Sequence, residues 1–474
     1  MRGLPLFLML CATLASSVPL RAEGADTRPD TSEVFATRHY FLLELPQKVW
    51  DVLIYPLGWF TIYAERTELP QRARDWFTNQ DHTFGFFPYV QFGGETSTGA
   101  GFSTFHSDLF GRRKKFSASY IFSHSHRQTA QAVYRDPRLF GSRFYWRMEG
   151  NFLESDDEDA TINGAVVEEE KDAEEREIHF PRFRIDRIDL TSVLGWRPHA
   201  GELEKYEKQV YVEGRIGFGR RKLRSDREGR PLPAPGSTAH ANRFSGFGKT
   251  LSFFSFGGRI AYDDRDYKPP VSQVSHPLNY VLPGRVLLLV HDLYYSYRDL
   301  SYPERGGLVQ IEADLAVGPD HVEFWRMGAE IQRFFTLFWR NRILALRARL
   351  DQVHSLGDDS IVPYADLPTL GGGLRLRGYE RGRFRGEGAL LLSAEYRYPI
   401  WDHCSAAVRA ANAYLFWDEG QVFDEYGQID LDAFRTSFGA GINVRTEKSL
   451  LVGFRVGHSA EKKALVGFSL EQEF

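Results

Sequence analysis

The sequence predicts an all-β fold, a 16-stranded transmembrane antiparallel β-barrel with a short helical N-terminal extension. The main observation is an alternation of apolar with polar or small side chains in many segments between residues 83 and 474, because a strand places alternate side chains on opposite faces. Aromatic residues make up 14% of the chain, and no stretch of about 20 apolar residues suits a spanning helix. A barrel with a polar lumen and an apolar outer face fits this mixture.

Residues 1–22 have the features of a secretory signal peptide. Arg2 gives a positive start, residues 4–14 are mostly apolar, and Ala22 ends a small-residue cleavage site. A run of this length is too short to cross a bilayer as a stop-transfer helix. Cys404 is the only cysteine outside this leader, so no intramolecular disulfide is expected.

Residues 23–82 are expected to form a periplasmic coil and an amphipathic helical segment. Apolar residues recur at helix-like spacing between residues 46 and 80, with Pro46 at the start and Pro56 as an interruption. Such a segment could lie on the inner leaflet or against the barrel mouth, or it could be a helical leader with no activity.

Residues 83–474 are expected to form the barrel itself. Seventeen segments read as strands: 83–92, 99–109, 114–123, 127–136, 141–153, 180–195, 208–220, 250–263, 284–298, 306–317, 321–338, 342–353, 388–399, 408–418, 434–445, 449–457 and 464–474. A single-chain bacterial barrel closes with an even number of antiparallel strands. One candidate is therefore surplus, we expect it in the region 250–300, and sixteen strands are predicted.

The last strand suggests the compartment. Phe468, Leu470 and Phe474 share one face of the segment 464–474. A C-terminal aromatic on such a strand resembles the terminal signal of bacterial outer-membrane barrels. Together with the leader, this resemblance predicts export to a Gram-negative-type outer membrane, with outer-membrane lipid and lipopolysaccharide as partners.

The charge pattern excludes some functions. The formal net charge is −4, and nothing indicates nucleic-acid binding. A loop at 154–177 carries twelve acidic residues. It could bind divalent cations or bridge to lipopolysaccharide through them, or it could be a solvated, partly disordered loop. No phosphate loop, zinc motif or nucleophile elbow is present, so neither a cofactor nor an enzymatic activity is expected.

One glycine-rich segment carries a recognisable motif. Residues 370–379 read Leu-Gly-Gly-Gly-Leu-Arg-Leu-Arg-Gly-Tyr, ending in Leu376-Arg377-Gly378-Tyr379, and five strand candidates follow. Phe416, Asp418 and Gly420 lie at alternate positions of a later strand. Two further signatures accompany them, at 435–441 and 297–306. This set, in this order, resembles the BamA/TamA surface-antigen superfamily of outer-membrane barrels over roughly residues 83–474.

The resemblance implies a latch inside the barrel between Arg377 and Asp418. The strand pattern is compatible with it, because Asp418 shares its face with Asn412, Tyr414 and Phe416 and can point inward. A guanidinium and a carboxylate form a bidentate, charge-assisted pair. Gly378 would let the loop turn and approach the wall closely.

A second hint concerns the seam where the first and last strands meet. Pro88 in the first strand cannot donate a ladder hydrogen bond. Gly467 in the last strand weakens pairing. Family members are thought to use this seam as a lateral gate, although Pro88 could equally lie just outside the paired region.

The resemblance does not extend to the family's periplasmic POTRA modules. Only about 60 residues lie between Glu23 and Thr83, and they show no strand-helix-helix-strand pattern. The function implied is assistance in inserting or translocating polypeptides at the outer membrane, with client outer-membrane polypeptides as possible partners. A plugged channel or transport barrel, and a surface structural antigen without transport, remain alternatives.

Overall fold

The computed structural model describes most of the chain from residue 76 onward. The described residues are 76–81, 83–91, 99–112, 114–123, 126–159, 182–196, 209–225, 246–265, 303, 305–337, 342–373, 375–402, 408–446 and 451–469. They contain a 16-stranded sheet in which neighbouring strands pair antiparallel in chain order. The predicted all-β class and the predicted strand number are therefore confirmed.

The strands of this sheet are long and rich in β-branched and aromatic residues, which favour extended backbone. They are β1 (Phe84–Gln91), β2 (Gly99–Leu109), β3 (Lys114–Ser123), β4 (Gln128–Asp136), β5 (Phe144–Asp159), β6 (Arg182–Trp196), β7 (Gln209–Ser225), β8 (Thr250–Asp263), β9 (Gly306–Val317), β10 (Glu323–Thr336), β11 (Ile343–Ser355), β14 (Gly388–Asp402), β15 (Val408–Phe423), β16 (Arg435–Thr446), β17 (Leu451–Ser459) and β18 (Leu465–Ser469). A separate two-stranded ladder joins β12 (Thr369–Leu370) to β13 (Phe384–Arg385).

The surplus strand candidate is resolved by the pairing of β8 with β9. Phe254 faces Val317 and Asp263 faces Leu308 in one continuous ladder, so no other strand lies between these two in the sheet. The candidate at 250–263 is β8 itself. The candidate at 284–298 lies outside the described residues.

The two faces of the sheet differ in polarity. One face buries charged side chains, and its arginines pair with carboxylates on other strands: Arg215 of β7 lies 2.9 Å from Glu312 of β9, and Arg349 of β11 lies 2.6 Å from Glu330 of β10. The other face exposes apolar side chains, including Ile260 at 62%. A sheet in a water-soluble protein buries its apolar face instead.

Several strands run further than the sequence pattern indicates; β15, predicted to end at residue 418, continues to Phe423. β5 continues through Asp159, so the first residues of the acidic loop at 154–177 belong to a strand. β7 continues to Ser225. The rest of the acidic loop, the signal peptide and the predicted helical segment up to residue 75 lie outside the described residues. Among the residues that the structure describes, no helix is long and apolar enough to cross a membrane.

Connections alternate between two ends of the sheet because consecutive strands are antiparallel. We call the end that holds the connection from β11 to β14 the loop end, and the opposite one the turn end. The β11–β14 connection, residues 356–387, lies against the polar face of the sheet. We call this connection the inward segment and the polar face of the sheet the wall. Apart from residue 374, all of the inward segment is described.

Candidate functional site

The inward segment is compact and has its own small core. Gly371 and Gly372 adopt φ values of 107° and 104°, which residues with a side chain rarely adopt. The N–H of Gly372 donates to the carbonyl of Tyr379 at 3.0 Å. Leu376 and Tyr379 pack together with four other buried residues, Leu370, Phe384, Ala389 and Leu391. Two residues of the predicted loop motif therefore fix the shape of the segment.

Arg377 lies against the polar face of β15 and β14. Its Nε and Nη2 donate to the two carboxylate oxygens of Asp418 at 2.9 and 2.8 Å, and its backbone N–H donates to Asp418 at 3.0 Å. Its Nη1 donates to Glu395, and the guanidinium lies 4.1 Å from the centre of the Phe416 ring. The structure thus brings together Arg377, Asp418 and Phe416.

This cluster is buried, and its charges compensate one another. Arg377 is 3% exposed, Asp418 1% and Glu395 3%. Burial by itself lowers the pKa of the Arg377 guanidinium, but the charge of Asp418 and its hydrogen bonds, followed by the charge of Glu395, outweigh burial and raise that pKa. The arginine stays charged, and it holds two carboxylates that would otherwise be costly to bury.

The glycines of the two motifs leave room for the inward segment. A Cβ on Gly378 would lie 2.6 Å from the Ser437 side chain on β16 and 2.6 Å from the His458 carbonyl on β17. A Cβ on Gly420 would lie 2.8 Å from the side chain of Leu370. At Gly378 the segment therefore approaches the wall more closely than a residue with a side chain would allow, whereas at Gly420 the atom closest to a Cβ would be the end of the flexible Leu370 side chain.

A second charged contact holds the other half of the inward segment. Asp366 accepts hydrogen bonds from Nε and Nη2 of Arg221 on β7 at 2.8 and 2.9 Å. Arg187 on β6 lies 3.9 Å from the same carboxylate, and Arg326 on β10 lies 3.4 Å from it. The motifs do not include Asp366, and no periodic pattern marks it.

The surroundings of Asp366 combine charge with aromatic packing. Burial by itself raises the pKa of the Asp366 carboxyl, but the charges of Arg221 and Arg187 outweigh burial and lower the pKa to about 2. The neighbouring Tyr364 packs edge-on against Phe183 of β6, with ring centres 5.5 Å apart. Arg385 donates to the Tyr364 carbonyl at 2.8 Å.

A cavity separates part of the inward segment from the wall. It has a volume of about 260 Å³ and is bordered by β5, β6, β9, β10 and β11 on one side and by residues 365–385 on the other. Both acidic and basic side chains line it, including Glu158, Asp351, Arg187 and Arg326. Within the described residues, no group of three or more His, Cys, Asp or Glu side chains could hold a metal ion.

The seam residues lie in β1 and β18. Pro88 lies within the β1–β2 ladder, opposite Phe102, so it does not lie outside the paired region. Gly467 lies opposite Arg455, and a Cβ there would lie 2.5 Å from the Arg455 guanidinium carbon. In the described part of the chain, no ladder joins β1 to β18.

The three residues of the predicted terminal signal are only partly described. Phe468 lies in β18, opposite Phe454. Leu470 and Phe474 lie outside the described residues.

The fold and the site together define a class: a long antiparallel sheet with one exposed apolar face, whose polar face holds a docked connection through an Arg–Asp pair. Residues 287–451, which include the motif and both of its carboxylate partners, match the Omp85 superfamily domain. The match is limited to this stretch of the chain, and at this level it confirms the recognition made from the motifs. No curated protein sequence matches the chain significantly.

Solved structures resemble the fold at low sequence identity. A structure of BamA from Haemophilus ducreyi lacking POTRA domains 1–3 is 12% identical, with a TM-score of 0.51, and the match covers 82% of this chain and 69% of that one. CdiB from Escherichia coli is 12% identical, with a TM-score of 0.49, and the match covers 81% of this chain and 61% of that one. CdiB from Acinetobacter baumannii is 10% identical, with a TM-score of 0.46, and the match covers 81% of this chain and 59% of that one. At these identities the likeness concerns the fold alone.

Proposed function

We propose that the sheet closes into a 16-stranded barrel in a Gram-negative-type outer membrane, with the polar face as its lumen. The inward segment supports closure, because it contacts β6 and β7 through Asp366 and β14 to β17 through Arg377 and its neighbours. An exposed apolar face and a buried charged face suit lipid outside and water inside. Outer-membrane lipid and lipopolysaccharide are then its surroundings.

The function we propose for this barrel is assistance in inserting or translocating polypeptides at the outer membrane. The observation that carries it is the docking of Arg377 on Asp418 and Glu395 inside the region that matches the Omp85 superfamily domain. Strands β1 and β18 add a seam with Pro88 and Gly467, where an incoming strand could pair with a free edge. No chemical step is part of this role, and we propose no enzymatic activity.

Proteoliposomes test the role directly. An unfolded outer-membrane barrel added as client should fold faster with the protein than with empty liposomes, and a variant carrying Asp418→Ala should lose most of that acceleration. A disulfide between cysteines placed in β1 and β18 should also abolish it. Folding at the rate of empty liposomes would refute the proposal, and full activity of the cross-linked protein would refute the seam as the gate.

A plugged channel is the second candidate, and the cavity beside the inward segment favours it. Planar-bilayer recordings separate the two roles. Large, steady conductance indicates a pore, whereas small flickering conductance fits an assembly barrel whose segment stays docked. A surface antigen without transport would show neither conductance nor acceleration of client folding.

A further inference from the structure

We infer that the inward segment is held by two separable anchors, and that Asp366 is the positioning residue of the one not expected from the motifs. In this arrangement, residues 361–368 can leave the wall while the half around Arg377 stays docked. The inference concerns the segment itself and goes beyond the proposed handling of polypeptides.

Both anchors are pairs of an arginine and a carboxylate, but the segment supplies the arginine in one and the carboxylate in the other. At the first, the segment supplies the arginine, and the wall supplies the carboxylate Asp418. At the second, the segment supplies the carboxylate Asp366, and the wall supplies Arg221, whose side chain is 1% exposed. Arg221 also donates to Asp189 at 2.6 Å. Each anchor is a buried bidentate pair, and charge-assisted bidentate hydrogen bonds are among the strong ones.

The anchors belong to separate parts of the structure. Tyr364 packs in a cluster with residues of β5, β6 and β7, whereas Leu376 and Tyr379 pack in another cluster with β14. Leu370 already packs in the second cluster, and Gly371 and Gly372 donate hydrogen bonds to Arg375 and Tyr379, so the two halves meet between residues 368 and 369. Arg385 donates to the Tyr364 carbonyl and the Gly386 N–H donates to the Pro368 carbonyl; these contacts link the halves and must break when residues 361–368 leave the wall.

The cavity gives this separation a consequence. It borders both halves of the segment, and beside the Asp366 half it is lined by Phe183, Ile185 and Arg187 of β6 and Arg326 of β10. Displacement of residues 361–368 from this wall would join the cavity to the space vacated by the segment. The Arg377 anchor would keep the rest of the segment in place.

Thiol accessibility distinguishes two anchors from one. In a Cys404→Ser background, Ala365→Cys reports on the Asp366 anchor, and Ser437→Cys, beside Gly378, reports on the Arg377 anchor. Folded protein in detergent is labelled with a water-soluble maleimide. We expect Asp366→Asn to accelerate labelling at position 365 at least tenfold and to leave labelling at position 437 within twofold of the parent.

Two comparisons complete the design. Asp359→Asn, a matched change at an exposed position of the same segment, should leave both rates unchanged. Arg377→Ala should give the reverse pattern, with faster labelling at position 437 and little change at position 365. Heat-modifiable mobility confirms that each variant is folded.

A conservative variant and a double variant separate positioning from a general loss of structure. Arg221→Lys keeps the positive charge but loses the paired N–H donors of the guanidinium, so it should accelerate labelling at position 365 by a smaller factor than Asp366→Asn does. The same variant serves as the test if Asp366→Asn does not fold. Arg221→Gln also loses the contact with Asp189, and adding Asp366→Asn to it should accelerate labelling little further, because the Arg221–Asp366 contact is already absent.

Two results would overturn the inference. Unchanged labelling at position 365 in Asp366→Asn would show that this residue anchors nothing. Equal acceleration at both reporters would show that the segment moves as one body. The assay contains no client polypeptide, so its outcome is independent of whether the protein assists polypeptide insertion.

Discussion

Replacement of Arg377 by alanine should release one half of the inward segment and leave the 16-stranded sheet folded. The change leaves Asp418 and Glu395 buried at 1% and 3% exposure. Glu395 keeps its contact with Arg397 at 2.8 Å, but Asp418 loses both guanidinium hydrogen bonds. Removal of one partner from a buried ion pair costs about 3–5 kcal/mol. At about 1.4 kcal/mol per factor of ten, the open state of this half gains roughly 100-fold or more in population.

Limited proteolysis with proteinase K measures this opening, because cleavage follows the population of the open state when opening and closing are fast. The Arg377→Ala protein in detergent should be cut within the inward segment about 100 times faster than the wild type, while its heat-modifiable mobility stays that of a folded barrel. Arg112→Ala, an exposed arginine at the turn end, is the matched control and should change neither quantity. Cleavage of Arg377→Ala within twofold of the wild-type rate would refute the latch.

Three further predictions follow from the outer face, from one glycine and from the charge of Asp366. Ile260→Arg, at an exposed apolar position of β8, should cost about 2–4 kcal/mol of folding free energy in bilayers; a value near zero, normal for a water-exposed site, would contradict a lipid-facing sheet. Gly378→Ala should cost about 1–3 kcal/mol through overpacking, since its Cβ would meet Ser437 at 2.6 Å, and proteolysis should detect it; wild-type protease resistance would show that the wall can move. The pKa of Asp366 is lowered from 3.8 to about 2, so its ionised form stabilises the fold above pH 3.8 and this contribution disappears as the pH falls through about 2. The difference in heat-unfolding midpoint between the wild type and Asp366→Asn should therefore persist from about pH 7 to pH 4 and vanish near pH 2; a difference already lost at about pH 5 would contradict this charge assignment.

Much of the sheet could be predicted because a strand has a simple period. Alternation along residues 388–399 and 408–418 separates Glu395 and Asp418 from outward residues such as Trp417, and the structure buries both carboxylates. The same pattern also produced the candidate at 284–298. That segment lies outside the described residues, and the direct pairing of β8 with β9 could not be predicted from alternation, because pairing between strands is a long-range property.

Only one of the two charged contacts of the candidate site could be predicted from the sequence. The pair of Arg377 and Asp418 could be found because both residues lie in recognisable motifs. Glu395 alternates with the apolar residues of its strand, but none of the motifs marks it as a second partner of the arginine. Asp366 lies in an irregular, proline-containing stretch without periodicity, and its partner Arg221 is 145 residues away in sequence. No local signal links such residues, because their contact depends on how the whole sheet curves.

The positions of the two anchors along the chain impose an order on maturation. Every wall residue that holds Asp366 precedes it in sequence, so this contact can form as soon as the first eleven strands and the segment are present. The carboxylates that hold Arg377 follow it, the further one by 41 residues, so that contact must wait for β14 and β15. In a barrel that folds from its N-terminal side, the inward segment would therefore dock in two stages. The second stage, the docking of Arg377, would occur only after β14 and β15 have joined the sheet.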